Sequence, residues 1–152
     1  MSKKLTSHYQ KAVHVALERC QFIEETLRMC ISHAMEIAKL QLSPYYPVKY
    51  TNADLSKLSM GKMVSIFSRI SDNASLKKSL NSITTERNYI AHQSLLFTIG
   101  ESHDPIHMKQ QIGKIDGIKE RAILVHNNLL DARYKLLRSL TALKRQQNIK
   151  RP

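Results

Sequence analysis

Tryptophan is absent from this chain, and glycine and proline occur only four times each in 152 residues. That scarcity of breakers excludes collagen-like and low-complexity architectures and leaves room for long uninterrupted helices. No glycine-rich loop is followed by a lysine, so the sequence offers no phosphate-cradling loop. Cysteine is limited to Cys20 and Cys30. They stand ten positions apart on one predicted helix, about 15 Å, which is too far for a disulfide. No paired CxxC suggests a zinc site. No stretch approaches the roughly 18 consecutive apolar residues of a membrane span. Nor is a signal peptide expected, because MSKKLTSHYQK leads into an amphipathic pattern rather than an apolar run. The expected setting is a reducing cytoplasm.

Acidic residues are also few. Twelve Asp and Glu face 24 Lys and Arg, leaving a formal net charge of +12 and a pI near 9.9. Such an excess goes beyond what solubility requires and points to a polyanionic partner such as RNA, DNA or an anionic surface. The length suits one domain covering residues 1–152, able to bury about two thirds of its unfolded surface.

What is present is helical periodicity. From Ser7 to about Gln41, the residues Tyr9, Val13, Ala16, Cys20, Ile23, Leu27, Cys30, Ala34 and Ile37 alternate spacings of four and three. That is a bundle-type seam about 50 Å long, widened by Val15, Leu17, Phe22 and Ile31. Ser43-Pro44-Tyr45-Tyr46-Pro47 ends it, since two prolines remove donors and exclude the α region before them. Tyr45, Tyr46 and Tyr50 beside Lys49 can stack on bases, but tyrosines folded back on the bundle are the simpler expectation. A short helix follows from Ser59 to Ile70, with Asp54 or Ser59 as cap and Gly61 marking close packing or a ragged start. A third helix is capped by Asp72 or Asn73. A last one starts at Pro105 with Asp104 as cap and runs to about Arg145, with Gly113 and Gly117 weakening its first turns. The basic tail from about 144 to 152 is expected to fray. His103 and His107 flank Pro105 at a helix start and read as solvent-exposed loop residues, so no metal and no cofactor is expected.

The third helix, Leu76 to Phe97, carries a fault in its apolar stripe. Leu76, Leu80, Ile83, Arg87, Ile90, Ser94 and Phe97 form a heptad-like series with a guanidinium in the middle. His92 lies about 140° round the helix from Arg87, and Asn88 shares the ridge of His92. One explanation is an internal ion pair, with Glu24 or Glu25 as the carboxylate, because an isolated guanidinium among apolar groups costs several kcal/mol. The other is chemical. Arginine's planar fork matches phosphate oxygens, and an imidazole can move protons near neutral pH. Metal-free RNA cleavage needs both, a proton carrier for the 2′-hydroxyl or leaving 5′-oxygen and a cation for the phosphate.

The segment Arg87-Asn88-Tyr89-Ile90-Ala91-His92 resembles the Arg, polar, three variable, His signature of HEPN domains, and the upstream Leu55 to Ile70 resembles the Gly-Lys-containing segment that precedes it. The resemblance implies an all-α, up-and-down bundle of four to five helices that pairs into a homodimer, with motif helices facing across a cleft. In catalytic members the two motifs form one metal-independent endoribonuclease site. Carried over, Arg87 would hold the scissile phosphate, His92 would act as acid or base, and Asn88 would support the site. It further implies single-stranded RNA as substrate and a toxin or phage-defence setting with an antitoxin or regulatory partner. Ser94 stands where nucleotidyltransferase-paired toxins often carry an adenylylated tyrosine, so that regulation is not expected. The alternative is a non-catalytic module of the same fold that binds a nucleotide, nucleic acid or protein.

Overall fold

A computed structural model describes residues 2–42, 45–49, 51–98 and 104–149. It contains five helices: α1 (Ser2–Leu42), α2 (Asn52–Ser56), α3 (Met60–Ile70), α4 (Ala74–Thr98) and α5 (Pro105–Ile149). No strand occurs among the described residues, and no helix among them is long and apolar enough to cross a membrane. The caps explain the boundaries. Ser59 Oγ accepts from Lys62 N at the start of α3, Asn73 Oδ1 accepts from Leu76 N (2.9 Å) before α4, and Asp104 Oδ1 accepts from Ile106 N (3.0 Å) before α5. Asp54 is no cap for α3. It belongs to α2, where its carboxylate accepts from the backbone and hydroxyl of Thr51 and is held below the usual carboxylate range.

The dominant seam joins α1 to α5. Its cross-links climb both helices in the same direction: Thr26 to His126, Cys30 Sγ to Leu129 O, Glu36 to Lys144, Leu40 O to Gln147 Nε2. The two longest helices are therefore parallel. Parallel neighbours need a return element, and α4 supplies it, since its contacts Glu86 to Arg121 and Tyr89 to Gln111 descend α5 as α4 advances. The three-residue link 71–73 makes α3 antiparallel to α4. Hence α1, α3 and α5 point one way and α4 the other. The expected up-and-down alternation fails between α1 and α3, where the stretch containing α2 carries the chain back along α1.

The stripe of α1 is buried from Tyr9 to Cys30, with Ile31 added, and faces Ile115, Ile118, Ala122, Val125 and Leu129 of α5. Met63, Val64 and Phe67 of α3 and Leu76, Leu80, Ile83 and Ile90 of α4 complete the core. Several expectations are revised. Phe22 does not widen the core but lies half-exposed, stacked on His126, with the Arg19 guanidinium 5.6 Å from the centre of its ring. Helix α5 is continuous through Gly113 and Gly117. The 144–149 stretch does not fray, because Lys144 pairs with Glu36 at 2.6 Å and Gln147 donates to Leu40 O at 3.0 Å. Residues 150–152, Ser43, Pro44, Tyr50 and residues 99–103, including His103, lie outside the described residues, as does the side chain of Phe97.

His126 is held in the seam between α1 and α5. The Thr26 hydroxyl donates to Phe22 O (2.8 Å), so its oxygen accepts from His126 Nε2 (3.0 Å) and fixes the ring between α1 and α5. Burial, then Arg19, pushes the His126 pKa down, and burial, then Arg133, does the same to His33. Both favour the neutral ring in the folded state, so their contribution is complete above the unfolded value of about 6.5 and is lost as pH falls below it. Urea midpoints should therefore drop between about pH 7.5 and 5.5, with a shallower drop in His126→Asn. Gly61 gives a second test. A Cβ there would meet Thr84 Cγ2 only at 4.0 Å, ordinary contact rather than a clash. Gly61→Ala should accordingly stabilise the fold by up to about 1 kcal/mol in equilibrium unfolding.

Candidate functional site

The middle of α4 is held on two sides. Toward α5, Glu86 Oε1 accepts from Arg121 Nε (2.9 Å) and Nη2 (2.5 Å). One turn on, Tyr89 donates its hydroxyl to Gln111 Oε1 at 2.7 Å, and Lys114 Nζ sits 3.7 Å from the centre of the Tyr89 ring. Toward α1, Arg87 Nε lies 3.5 Å from Glu24 Oε1. The carboxylate of Arg87 is therefore Glu24. Glu25 instead pairs along its own helix with Arg28.

Beneath this group lies the Cys20 thiol. Burial pushes its pKa up to about 11, with Arg87 opposing and Glu24 and Glu86 adding to the rise. Cys20, Glu24, Glu86 and Arg87 thus share one electrostatic neighbourhood where α1 meets α4. No compact charge cluster is fully dried there, since the side chain of Arg87 keeps 41% of its exposure. The arginine on the apolar stripe is a local interruption, since Ile83 before it and Ile90 after it are both buried. Gly61, at the start of α3, lies over Thr84, and the motif begins three residues further along α4.

On the outer side of this stretch, Asn88 and His92 are exposed. Arg87 Nη1 reaches Asn88 Oδ1 at 3.4 Å. Arg87 and Asn88 are thus brought together, while His92 points into solvent apart from them, as its angular offset of about 140° requires. A guanidinium anchored at Nε by a carboxylate and at Nη1 by an amide still presents Nη2, a geometry suited to one anionic oxygen. Nothing within one chain brings His92 to the same oxygen.

The periodicity read along α4 gave no hint of Arg121, Gln111 or Lys114, since all three come from α5 far away in sequence. Only Glu86, an acid next to the stripe in a chain poor in acids, signalled a cation partner. Among the described residues, no three His, Cys, Asp or Glu gather as a metal-binding group.

No family model, curated protein or solved structure matches the chain.

The partial exposure of both partners makes the Arg87 to Glu24 pair a weak tie. A double-mutant cycle with Arg87→Ala and Glu24→Ala should give a coupling of about 1 kcal/mol or less in urea unfolding. A coupling near 3 kcal/mol would make Arg87 a structural clamp.

Proposed function

We propose that this chain is an endoribonuclease of HEPN type, which cleaves single-stranded RNA without a metal at a site made by two copies of α4. The observation carrying this reading is that, on the part of α4 that extends past the start of α3, Ile90 seats the helix in the core while Asn88 and His92 are exposed and Arg87 is half-exposed on its outer side. That stretch is otherwise rigidly tied by Glu86 and Tyr89 to α5. A second copy on this face would bring its own His92 toward the first Arg87.

The chemistry then divides between side chains. One His92 takes the proton of a ribose 2′-hydroxyl as its oxygen attacks the adjacent phosphorus. Arg87 stabilises the charge that builds on the non-bridging oxygens. The bond to the 5′-oxygen breaks, that oxygen takes a proton from the partner copy's imidazole, and the products are a 2′,3′-cyclic phosphate and a 5′-hydroxyl. Asn88 holds the Arg87 fork in place. An RNA substrate and a reducing interior fit a cytoplasmic protein, and a toxin or phage-defence role would call for an antitoxin or other regulatory partner.

A second reading draws on Glu24. A carboxylate already on Arg87 suits a module that grips a nucleotide, nucleic acid or protein without turnover. Activity separates the two. In EDTA, the dimeric wild type should cleave RNA, and Arg87→Ala and His92→Ala should each lose at least about 100-fold. Equal cleavage by all three proteins, or none by a wild type shown by light scattering to be dimeric, would sink the nuclease and leave the binding module.

A further inference from the structure

The positive charge is not spread evenly. Residues 132–152 contain seven Lys and Arg and no Asp or Glu, more than half of the net +12 in a seventh of the chain. Structure concentrates it further. Because α1 and α5 are parallel, both end at the same pole, where Leu40 O meets Gln147. Along the second half of α5, Tyr134, Arg138 and Arg145 repeat at spacings of four and seven, and so form one ridge about 16 Å long on the side opposite buried Leu129 and Leu140. All three are exposed, as is Lys135 beside them. Tyr134, Lys135 and Arg138 border a shallow depression of about 490 Å³ together with Leu137 and Asp131, the last acid before the basic run.

Aromatic rings flank this ridge: Tyr134 begins it, about 22 Å before the end of α5, and Tyr45 and Tyr46 stand at the end of α1. Tyr45 and Tyr46 do not fold back on the bundle as expected. Their amides donate to Leu42 O, tying them to the end of α1, while their side chains remain 80% and 69% exposed. Tyr134 is 52% exposed. Lys135, Arg138 and Arg145 form no ion pair among the described residues, Arg138 donating only to Tyr134 O, and the exposed tyrosines beside them have no packing role, since their rings touch too little protein to be stabilised by burial. Nor does the helix dipole account for the cations. It acts within the last turn, whereas Arg138 lies eleven residues, about 16 Å, before the end of α5. Among the nearby acids, Glu36 is committed to Lys144, while Asp131, at the far end of the ridge, and Asp72, at the α3–α4 link, line the depression on the other side of Lys135.

We infer that the second half of α5, continuing to the end of α1, is a docking surface for single-stranded RNA, with Arg138, Arg145 and Lys135 on phosphates and Tyr134, Tyr45 and Tyr46 stacking on bases. Unpaired bases are specified because a tyrosine ring can stack only on a base whose face is free. A lipid surface fits less well. The ridge is polar, and the apolar face of α5 is occupied by α1. The surface lies far along α5 from Arg121, which ties the motif stretch of α4, so it would hold RNA outside the cleavage site. The inference shares with the proposed function only the choice of RNA.

Binding tests it, in a His92→Ala background so that cleavage plays no part. A labelled oligouridylate of about 20 nucleotides is titrated by fluorescence anisotropy across a salt series. Lys135→Glu/Arg138→Glu/Arg145→Glu should weaken binding at least about tenfold and lower the salt slope by about two to three. Tyr45→Ala/Tyr46→Ala/Tyr134→Ala should weaken it about fivefold or more with the slope unchanged. The same charge reversal at the opposite pole, Lys4→Glu/Lys11→Glu/Lys109→Glu, should do much less. Equal losses from both reversals, unchanged binding in the first, or wild-type binding to phosphatidylserine vesicles but not to RNA would each overturn the surface. A nuclease-negative wild type would leave the docking result standing, and an absent docking surface would leave the cleavage assay untouched.

Discussion

The parallel seam between α1 and α5 is the constraint on which the remaining structure depends. Two helices of 41 and 45 residues laid side by side in the same direction cannot be joined by a turn, so the chain must travel back between them. Helix α4 makes that journey and, being antiparallel to both, opposes their aligned dipoles. Its 25 residues are more than the 11-residue α3 can cover. Past the start of α3 the stripe of α4 stays buried through Ile90 against the rest of the bundle, and it is on the outer side of that stretch that Asn88 and His92 are exposed and Arg87 half-exposed.

That view also explains how an arginine occupies a core register. In a fully covered helix, Arg87 would need desolvation and a close partner, a costly arrangement. Half-exposed on the outer side of α4, it needs only the loose company of Glu24 and Asn88 while it faces water. Its neighbours at the same register on either side, Leu80 and Ile83 before it and Ile90 after it, are fully buried, so Arg87 interrupts the stripe locally.

Much of this was legible in the sequence, because helix stripes and caps are local signals. The four-three spacing of α1 marked the residues from Tyr9 to Cys30 that are buried. Ser59, Asn73 and Asp104 were readable as caps because a short polar side chain before an apolar period has few other uses. Helix direction was not readable. Periodicity states which face of α5 is apolar but not that it runs alongside α1 rather than against it. The choice between Glu24 and Glu25 was undecidable for a related reason, since they are adjacent on the helix and only the rotation of α1 against α4 selects one. Tyr45 and Tyr46 misled because large aromatics are usually buried, and what holds them out is the backbone geometry at the end of α1. Helix α2 was missed because five residues are too few for a period to appear.

The two cysteines sample this architecture at two heights. Cys20 lies beside the Arg87 neighbourhood, while Cys30 touches Leu129 nearer the basic pole; burial raises both thiols, to about 11 and about 12. Neither can react while the seam is closed, because the thiolate is scarce and the sulfur inaccessible. Each thiol is therefore a built-in reporter of its own stretch of the seam. If the pole opens before the motif region, Cys30 will be labelled ahead of Cys20, and the order of labelling would map which half of the bundle yields first.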